Sequence, residues 1–183
     1  PQPENVSERL SVQGLTVTDE DGRKLLDDVT FAANAGEILG IAGIAGSGQK
    51  ELLEAIAGLQ PVESGSICYI EDDGSRDELL GKDPLAIADK GITLSFVPED
   101  RLGMGLVGTM NLSDNMMLRS FRNGKSFFTD RKGPRHLAKQ VVKELNVKTP
   151  SIDTPVRKLS GGNVQKILVR REIATAPKVL LTA

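Results

Sequence analysis

The sequence predicts an α/β protein with a mixed sheet and an inserted helical subdomain. Three observations support this fold class. A short apolar run, Glu37–Ala42, leads into a cluster of glycines and then into a helix. Amphipathic helical spacing begins at Leu112, and a second glycine motif, Leu159–Asn163, precedes a further helix and an apolar strand. Strands that alternate with helices are typical of α/β folds, and the helical stretch between them indicates an insertion.

The first hundred residues contain most of the predicted strands. Four segments have the apolar content or alternation of strands: Arg9–Thr18, Leu25–Phe31, Gly65–Ile70 and Ile92–Val97. The run Glu37–Ala42 predicts a fifth strand, buried on both faces. A helix that begins at Gln49 is indicated by apolar residues at helical spacing, namely Leu52, Leu53, Ile56 and Ala57. Asp83-Pro84 predicts the start of a second, shorter helix.

The remainder of the chain is mainly helical. The spacing predicts amphipathic helices over Leu112–Leu118 and Pro134–Leu145, a helix over Val164–Thr175 and a strand over Val179–Thr182. We therefore expect a core in residues 1–108, a helical subdomain in residues 109–158, and a final part of the core in residues 159–183.

Composition narrows the class of protein. The chain has 183 residues, of which 39% are hydrophobic and 26% charged, as expected for a globular domain. The net charge of -2 provides no general attraction for nucleic acid or an anionic membrane. A single cysteine, Cys68, excludes an internal disulfide framework. The longest apolar run, Ile38–Gly46, is too short to span a bilayer.

The glycine cluster Gly43–Gly48 has the form of a phosphate-binding loop, because its backbone N–H groups and the following helix N-terminus can face an anion. The full pattern continues with Lys and Ser/Thr, but this chain has Gln49 and Lys50. A dinucleotide-binding loop is excluded by Glu51 at the third glycine position. A tight turn without a ligand remains open on the loop alone. The candidate nucleotide-binding residues are Gly43, Gly46, Ser47, Gly48, Gln49 and Lys50.

The second glycine motif, Leu159-Ser160-Gly161-Gly162-Asn163, offers a hydroxyl and free N–H groups at a helix N-terminus. Alone, it could be only a helix cap. Its order and spacing after the first loop resemble the ABC ATPase family, in which it is the signature motif. The segments Asn163–Lys166 and Phe96–Arg101 look like the C-terminal nucleotide-binding domain of fused importers for simple sugars and nucleosides.

The resemblance implies a P-loop NTPase fold, with ATP enclosed between the P-loop of one domain and the signature motif of another. Glu99 then occupies the position of the Q-loop glutamine and is the candidate catalytic residue. The Walker B strand corresponds to Val179–Thr182, and Ala183 stands where the family has a metal-binding Asp. The catalytic Glu and switch His of the family would lie beyond residue 183, so no metal ligand is expected within this chain.

Three departures affect one site: Gln49 for Lys, Lys50 for Ser/Thr, and Ala183 for Asp. Each removes charge compensation that phosphoryl transfer needs. The expected function is an ATP-binding subunit of an ABC importer whose own site is degenerate and whose signature motif completes the partner's site. The isolated chain should then be inactive. Two alternatives remain open: a working ATPase site that uses Lys50, and a regulatory nucleotide-binding module without transport.

The resemblance also implies cofactors and partners. ATP and Mg²⁺ are expected in the assembled complex, and weakly or not at all at this chain's own site. The expected partners are an N-terminal ABC domain of the same polypeptide or a second ABC subunit, permease subunits, and indirectly a solute-binding protein, but no nucleic acid. The expected location is peripheral, on the cytoplasmic face of the bacterial inner membrane. The basic residues of the insert, which include Arg119 and Arg135, are typical of a solvated face. The alternative that the resemblance implies is docking to the permease, with Phe127, Phe128 and the Met116-Met117 pair as apolar contacts.

Overall fold

In the computed structural model, which describes residues 7–44, 46–119 and 131–183, an antiparallel sheet dominates the N-terminal part. Its strands are β1 (Glu8–Thr18), β2 (Lys24–Asn34), β3 (Ser64–Ile70) and β4 (Arg76–Glu78), in the order β2-β1-β3-β4. β1 pairs antiparallel with both β2 and β3. Its inward side chains, which include Val12 and Leu15, are fully buried. The predicted strands Arg9–Thr18, Leu25–Phe31 and Gly65–Ile70 are confirmed as β1, β2 and β3.

Two helices belong to the same part of the chain. α1 (Gln49–Ile56) follows the glycine cluster and buries Leu52, Ala55 and Ile56. α2 (Pro84–Asp89) begins after Asp83, whose carboxylate accepts hydrogen bonds from the backbone N–H groups of Leu85 (2.9 Å) and Ala86 (2.8 Å). Both helices are predicted from the sequence and are confirmed.

The predicted buried strand Glu37–Ala42 is wrong. No described strand pairs with this segment, and Ile38 is 97% exposed and Ile41 46% exposed. The four described strands of that sheet pair only with one another, and this apolar run is not among them. Apolar content indicates a tendency to be buried, whereas strand formation also requires a partner strand.

The chain forms two units, one that ends at Leu94 and also includes Ala183, and one over Ser95–Thr182. Apart from Leu94, the first residue of β5, the second contains a two-stranded sheet of β5 (Leu94–Val97) and β6 (Val179–Thr182). Its helices are α3 (Leu112–Met117), α4 (Lys132–Glu144) and α5 (Gly161–Ile173), with a π-helical turn at Arg101–Gly105 and a 3₁₀ turn at Val156–Lys158.

The second unit has its own hydrophobic core. Its buried members are Val97, Leu106, Leu112, Met116, Ala138, Val141, Val147, Val156, Val164, Ile167 and Leu168. The predicted apolar face of α4 is confirmed, since Leu137, Val142 and Leu145 pack against this core. The predicted division at residues 108 and 158 stays a prediction.

Met116 is only 2% exposed and belongs to this core, so the prediction that it contacts a permease is wrong. A methionine on an amphipathic helix faces either the core or a partner, and its position in the sequence does not distinguish the two. Phe127-Phe128 lie outside the described residues. None of the helices in the described part of the chain is both long and apolar enough to cross a membrane.

Candidate nucleotide site

The first glycine loop ends at Gly48, which packs against β2 at the start of α1. Gly46 and Gly48 have positive φ angles of 82° and 92°, which favour glycine. A Cβ atom on Gly48 would lie 2.6 Å from the carbonyl oxygen of Leu25 and 2.7 Å from Leu26 Cδ2. Gly48, the residue before α1, therefore packs closely against β2. The sequence predicts instead that the strand Glu37–Ala42 holds the loop.

The interior of the loop is filled by its own side chains. The hydroxyl oxygen of Ser47 lies 2.7 Å from the carbonyl oxygen of Ile44 and 2.9 Å from Gln49 Oε1. A Cβ atom on Gly43 would overlap both Gln49 Nε2 and Ser47 Oγ. The Gln49 amide thus turns back toward the glycines and places a neutral group where the P-loop pattern puts a lysine.

The side chain of Lys50 pairs along its own helix and does not turn into the glycine loop. Its ammonium is 3.8 Å from Glu54 Oε1, one turn along α1, and its side chain is 60% exposed. The P-loop pattern has at this position a hydroxyl that binds Mg²⁺, and an ammonium cannot take that role. Among the described residues there is also no group of three His, Cys, Asp or Glu side chains that could hold a metal ion. Lys50 therefore does not fit the Mg²⁺-binding position of the P-loop pattern.

The second glycine motif is open to solvent. Ser160 precedes α5 in an extended conformation, and its hydroxyl makes no capping hydrogen bond. Ser160, Gly161 and Gly162 are exposed, and a Cβ atom on Gly162 would meet nothing within 4 Å. The amide of Asn163 donates to the carbonyl oxygen of Lys148 at 3.4 Å, while the partly buried Leu159 packs on the core. The first N–H groups of α5 have no partner inside their helix, so they can receive an anion from outside.

Glu99 lies beside this helix N-terminus. A groove of about 320 Å³ is lined by Glu99, Asp100, Arg101, Leu102, Leu159, Gly161 and Val164. Glu99 is exposed, and Asp100 caps the π-helical turn through hydrogen bonds from the N–H groups of Leu102 (3.3 Å) and Gly103 (2.8 Å). Arg101 Nη1 lies 3.8 Å from the position of a Cβ atom on Gly161.

The sequence pattern indicates Glu99 for its Q-loop position, and it does not predict that Asp100 and Arg101 line the same groove as the second glycine motif. A signal for Asp100 was present, because Asp before a turn is a common cap. The position of Arg101 carries no such local signal. It depends on the contact between two segments about 60 residues apart, which only tertiary structure supplies.

Two glycine motifs at helix N-termini, on an α/β fold with a helical part, define a nucleotide-binding protein of the cassette class. The family model described as ABC transporter matches residues 26–182. The chain therefore belongs to the ABC transporter family, as the resemblance implied.

Curated relatives include import proteins of this family. The chain is 35% identical over 180 residues to the guanosine import ATP-binding protein NupO of Bacillus subtilis, covering 97% of this chain and 34% of that protein. It is 36% identical over 176 residues to the ribose import ATP-binding protein RbsA 1 of Rubrobacter xylanophilus, covering 94% and 32%. The chain thus spans about a third of the length of these relatives.

Solved structures support the fold. A nucleotide-free ATP-binding cassette from an ABC transporter is similar with a TM-score of 0.70 and 21% identity, covering 96% of this chain and 68% of that one. A dimeric bacterial ABC transporter cassette has a TM-score of 0.74 and 20% identity, covering 94% and 72%. The predicted ABC ATPase fold is confirmed.

Proposed function

We propose that this chain is part of the ATP-binding subunit of an ABC importer for simple sugars or nucleosides. Its curated relatives carry the names of guanosine, glucose and ribose import ATP-binding proteins. In this proposal the chain works with permease subunits at the cytoplasmic face of the membrane, and a solute-binding protein delivers the substrate to them. A second ABC domain, on the same polypeptide or another subunit, completes the pair.

The two glycine motifs have unequal roles in the proposal. The single observation that carries it is the contrast between a loop filled by the Gln49 amide and an unobstructed helix N-terminus at Ser160–Gly162. A phosphate at the first loop would have to displace that amide and would gain no lysine charge. A phosphate at the second would meet a free hydroxyl and free N–H groups.

We therefore assign this chain the signature half of a competent ATP site. Ser160, Gly161 and Gly162 contact the phosphates held by the partner's P-loop, and Leu159 and Asn163 anchor the motif to the core and to Lys148. ATP and Mg²⁺ are held mainly by the partner. Glu99, at the Q-loop position, faces the same groove and is the candidate residue for sensing the nucleotide or the membrane subunit.

Nucleotide affinity of the purified protein tests the weakness of the first loop. The double substitution Gln49→Lys with Lys50→Ser restores the charged donor and the hydroxyl of the P-loop pattern. A hydrogen bond to a charged group contributes about 1.5–3 kcal/mol, which is roughly a tenfold to hundredfold gain in affinity. We expect the double variant to bind a fluorescent ATP analogue with Mg²⁺ at least about tenfold more tightly than the wild type.

The control for this titration is Lys50→Ser alone, which supplies the hydroxyl without the lysine charge. Its affinity should stay close to that of the wild type. Equal affinity for the wild type and the double variant would contradict the proposed weakness of the first loop.

A further inference from the structure

A buried network of three charged residues lies at the C-terminal end of α5. Glu172 is fully buried, and Arg119 Nε donates to its two carboxylate oxygens at 3.1 and 2.9 Å. Arg171 Nε donates to Glu172 Oε1 at 2.9 Å. Arg171 is 6% exposed, and its Nη2 also donates to the carbonyl oxygen of Gly105 at 2.6 Å.

Stability alone does not account for such a network. Moving charges out of water costs several kcal/mol per ion, and apolar residues of similar size often stabilise a core equally well. Burial lowers the pKa of the Arg171 guanidinium, while the Glu172 carboxylate opposes that shift. What a guanidinium adds is fixed geometry, because its planar donors hold two acceptors in set directions. Arg171 holds Glu172 and Gly105 in this way.

Gly105 is the last residue of the π-helical turn and is pressed against α5. A Cβ atom there would lie 2.7 Å from Cδ2 of the fully buried Leu168 and 3.4 Å from Pro98 Cγ. The backbone of the turn therefore touches α5 directly, and the Arg171 hydrogen bond sets its carbonyl direction. At the other end of the turn, the N–H groups of Met104 and Gly105 donate to the carbonyl oxygen of Asp100 at 3.2 Å.

The same turn reaches the signature motif at its other end. Arg101 lies beside Gly161, in the groove that Glu99 and Leu159 share. Ten residues separate Gly161 from Arg171 on α5, which is about 15 Å along a helix. The segment that carries Glu99 is thus connected to α5 near both ends of the helix.

We propose that Arg171, oriented by Glu172 and Arg119, is a positioning residue that locks the Arg101–Gly105 turn to α5. The segment with Glu99 and the N-terminus of α5 then move as one body when nucleotide phosphates meet Ser160–Gly162. This role rests on the proposed function of the signature motif. The mechanical link itself is a property of the chain and can be measured without nucleotide.

Hydrogen exchange of the full-length protein tests the link. Arg171→Lys keeps the positive charge but removes the fork that reaches both Glu172 and Gly105. The matched control is Arg170→Lys, next to it on α5, where Arg170 Nε is 3.4 Å from Glu144 Oε2 and both side chains are partly exposed. We expect the N–H groups of Met104 and Leu106 to exchange at least about tenfold faster in Arg171→Lys, and within about twofold of wild type in Arg170→Lys. Equal exchange in the two variants would overturn the proposal.

Gly105→Ala provides a second variant in case Arg171→Lys does not fold. The added Cβ atom would collide with Leu168, so exchange in the turn should rise as it does for Arg171→Lys. Adding Leu168→Ala removes the colliding atoms and should return exchange of the turn toward that of Leu168→Ala alone. An unchanged exchange rate in Gly105→Ala would contradict the close contact from which the link is inferred.

ATP hydrolysis by the assembled transporter tests the positioning role. If a variant only lowers the folded fraction, the apparent kcat falls and KM is unchanged. If the variant misplaces the signature motif, the closed ATP site binds ATP more weakly and KM rises. We expect about a tenfold higher KM for ATP in Arg171→Lys and less than about a twofold change in Arg170→Lys. Gly161→Asp is measured in parallel. If Gly161→Asp is inactive and Arg171→Lys has a normal KM, the signature assignment survives and the positioning role is wrong. If Gly161→Asp hydrolyses normally, the signature assignment fails, and hydrogen exchange still decides the link.

Discussion

Removing the carboxylate of Glu172 should be one of the most damaging single changes in the described part of the chain. Glu172→Ala leaves two guanidinium groups together, and Arg171, with only 7% of its side chain exposed, cannot recover its hydration. Breaking a buried pair by removing one partner costs about 3–5 kcal/mol. For a protein of this size each kcal/mol lowers the melting temperature by roughly 2–4 °C, so the expected loss is about 6–20 °C.

Glu144→Ala is the matched control, because it also exchanges Glu for Ala in a helix and also removes a carboxylate from an arginine. The Glu144 side chain is 48% exposed and its pair with Arg170 spans 3.4 Å, so its removal should cost no more than about 1 kcal/mol. Thermal unfolding followed by circular dichroism compares the two variants. The reasoning is refuted if Glu172→Ala melts within about 2 °C of Glu144→Ala.

Two further predictions concern the N-terminal unit. Gly48→Ala should destabilise the protein more than Gly46→Ala. Both glycines have positive φ, but only Gly48 has Leu25 and Leu26 within 2.7 Å of the new Cβ atom. Urea unfolding compares the two variants, and equal losses in the free energy of unfolding would contradict the packing argument. Burial raises the pKa of Glu78, but hydrogen bonds from the Ser66 hydroxyl and the N–H groups of Leu80 and Ile67 outweigh it and hold that pKa below its ordinary value of 4.5. The stabilising contribution of Glu78 is therefore complete above pH 4.5 and is lost as the pH falls through the lowered pKa. Glu78→Gln should make the melting temperature fall less steeply with decreasing pH than it does in the wild type. The control Glu20→Gln, at an exposed residue, should leave the fall as steep as in the wild type.

Most elements of the fold could be predicted because their signals are local. Alternation identifies β1, helical spacing identifies the apolar face of α4, and Asp83-Pro84 identifies the start of α2. In each case neighbouring residues suffice to give the period or the cap. The order of glycines before a helix also predicts the six candidate residues of the glycine loop, and their role in nucleotide binding stays a prediction.

What could not be predicted depends on contacts between distant segments. Glu37–Ala42 has the composition of a buried strand, yet none of the described strands pairs with it. Nothing in the local sequence shows that Arg171 and Glu172 are buried, or that they bond to Gly105 and Arg119, which lie more than 50 residues away in the chain. The inward turn of the Gln49 amide is likewise a choice of rotamer, which sequence spacing does not reveal.

The central claim is that this chain contributes to ATP hydrolysis through Ser160–Gly162 and not through its own glycine loop. The direct measurement is the ATPase rate of the reconstituted transporter with Gly161→Asp and with Gln49→Ala, after expression and assembly of each variant are checked. An aspartate at 161 adds a negative charge where we propose that the partner's phosphates approach, whereas Gln49 belongs to the loop that we propose to be degenerate. We predict that Gly161→Asp abolishes hydrolysis and that Gln49→Ala retains most of it. Normal hydrolysis in Gly161→Asp, or its loss in Gln49→Ala, would mean that the roles of the two motifs are reversed.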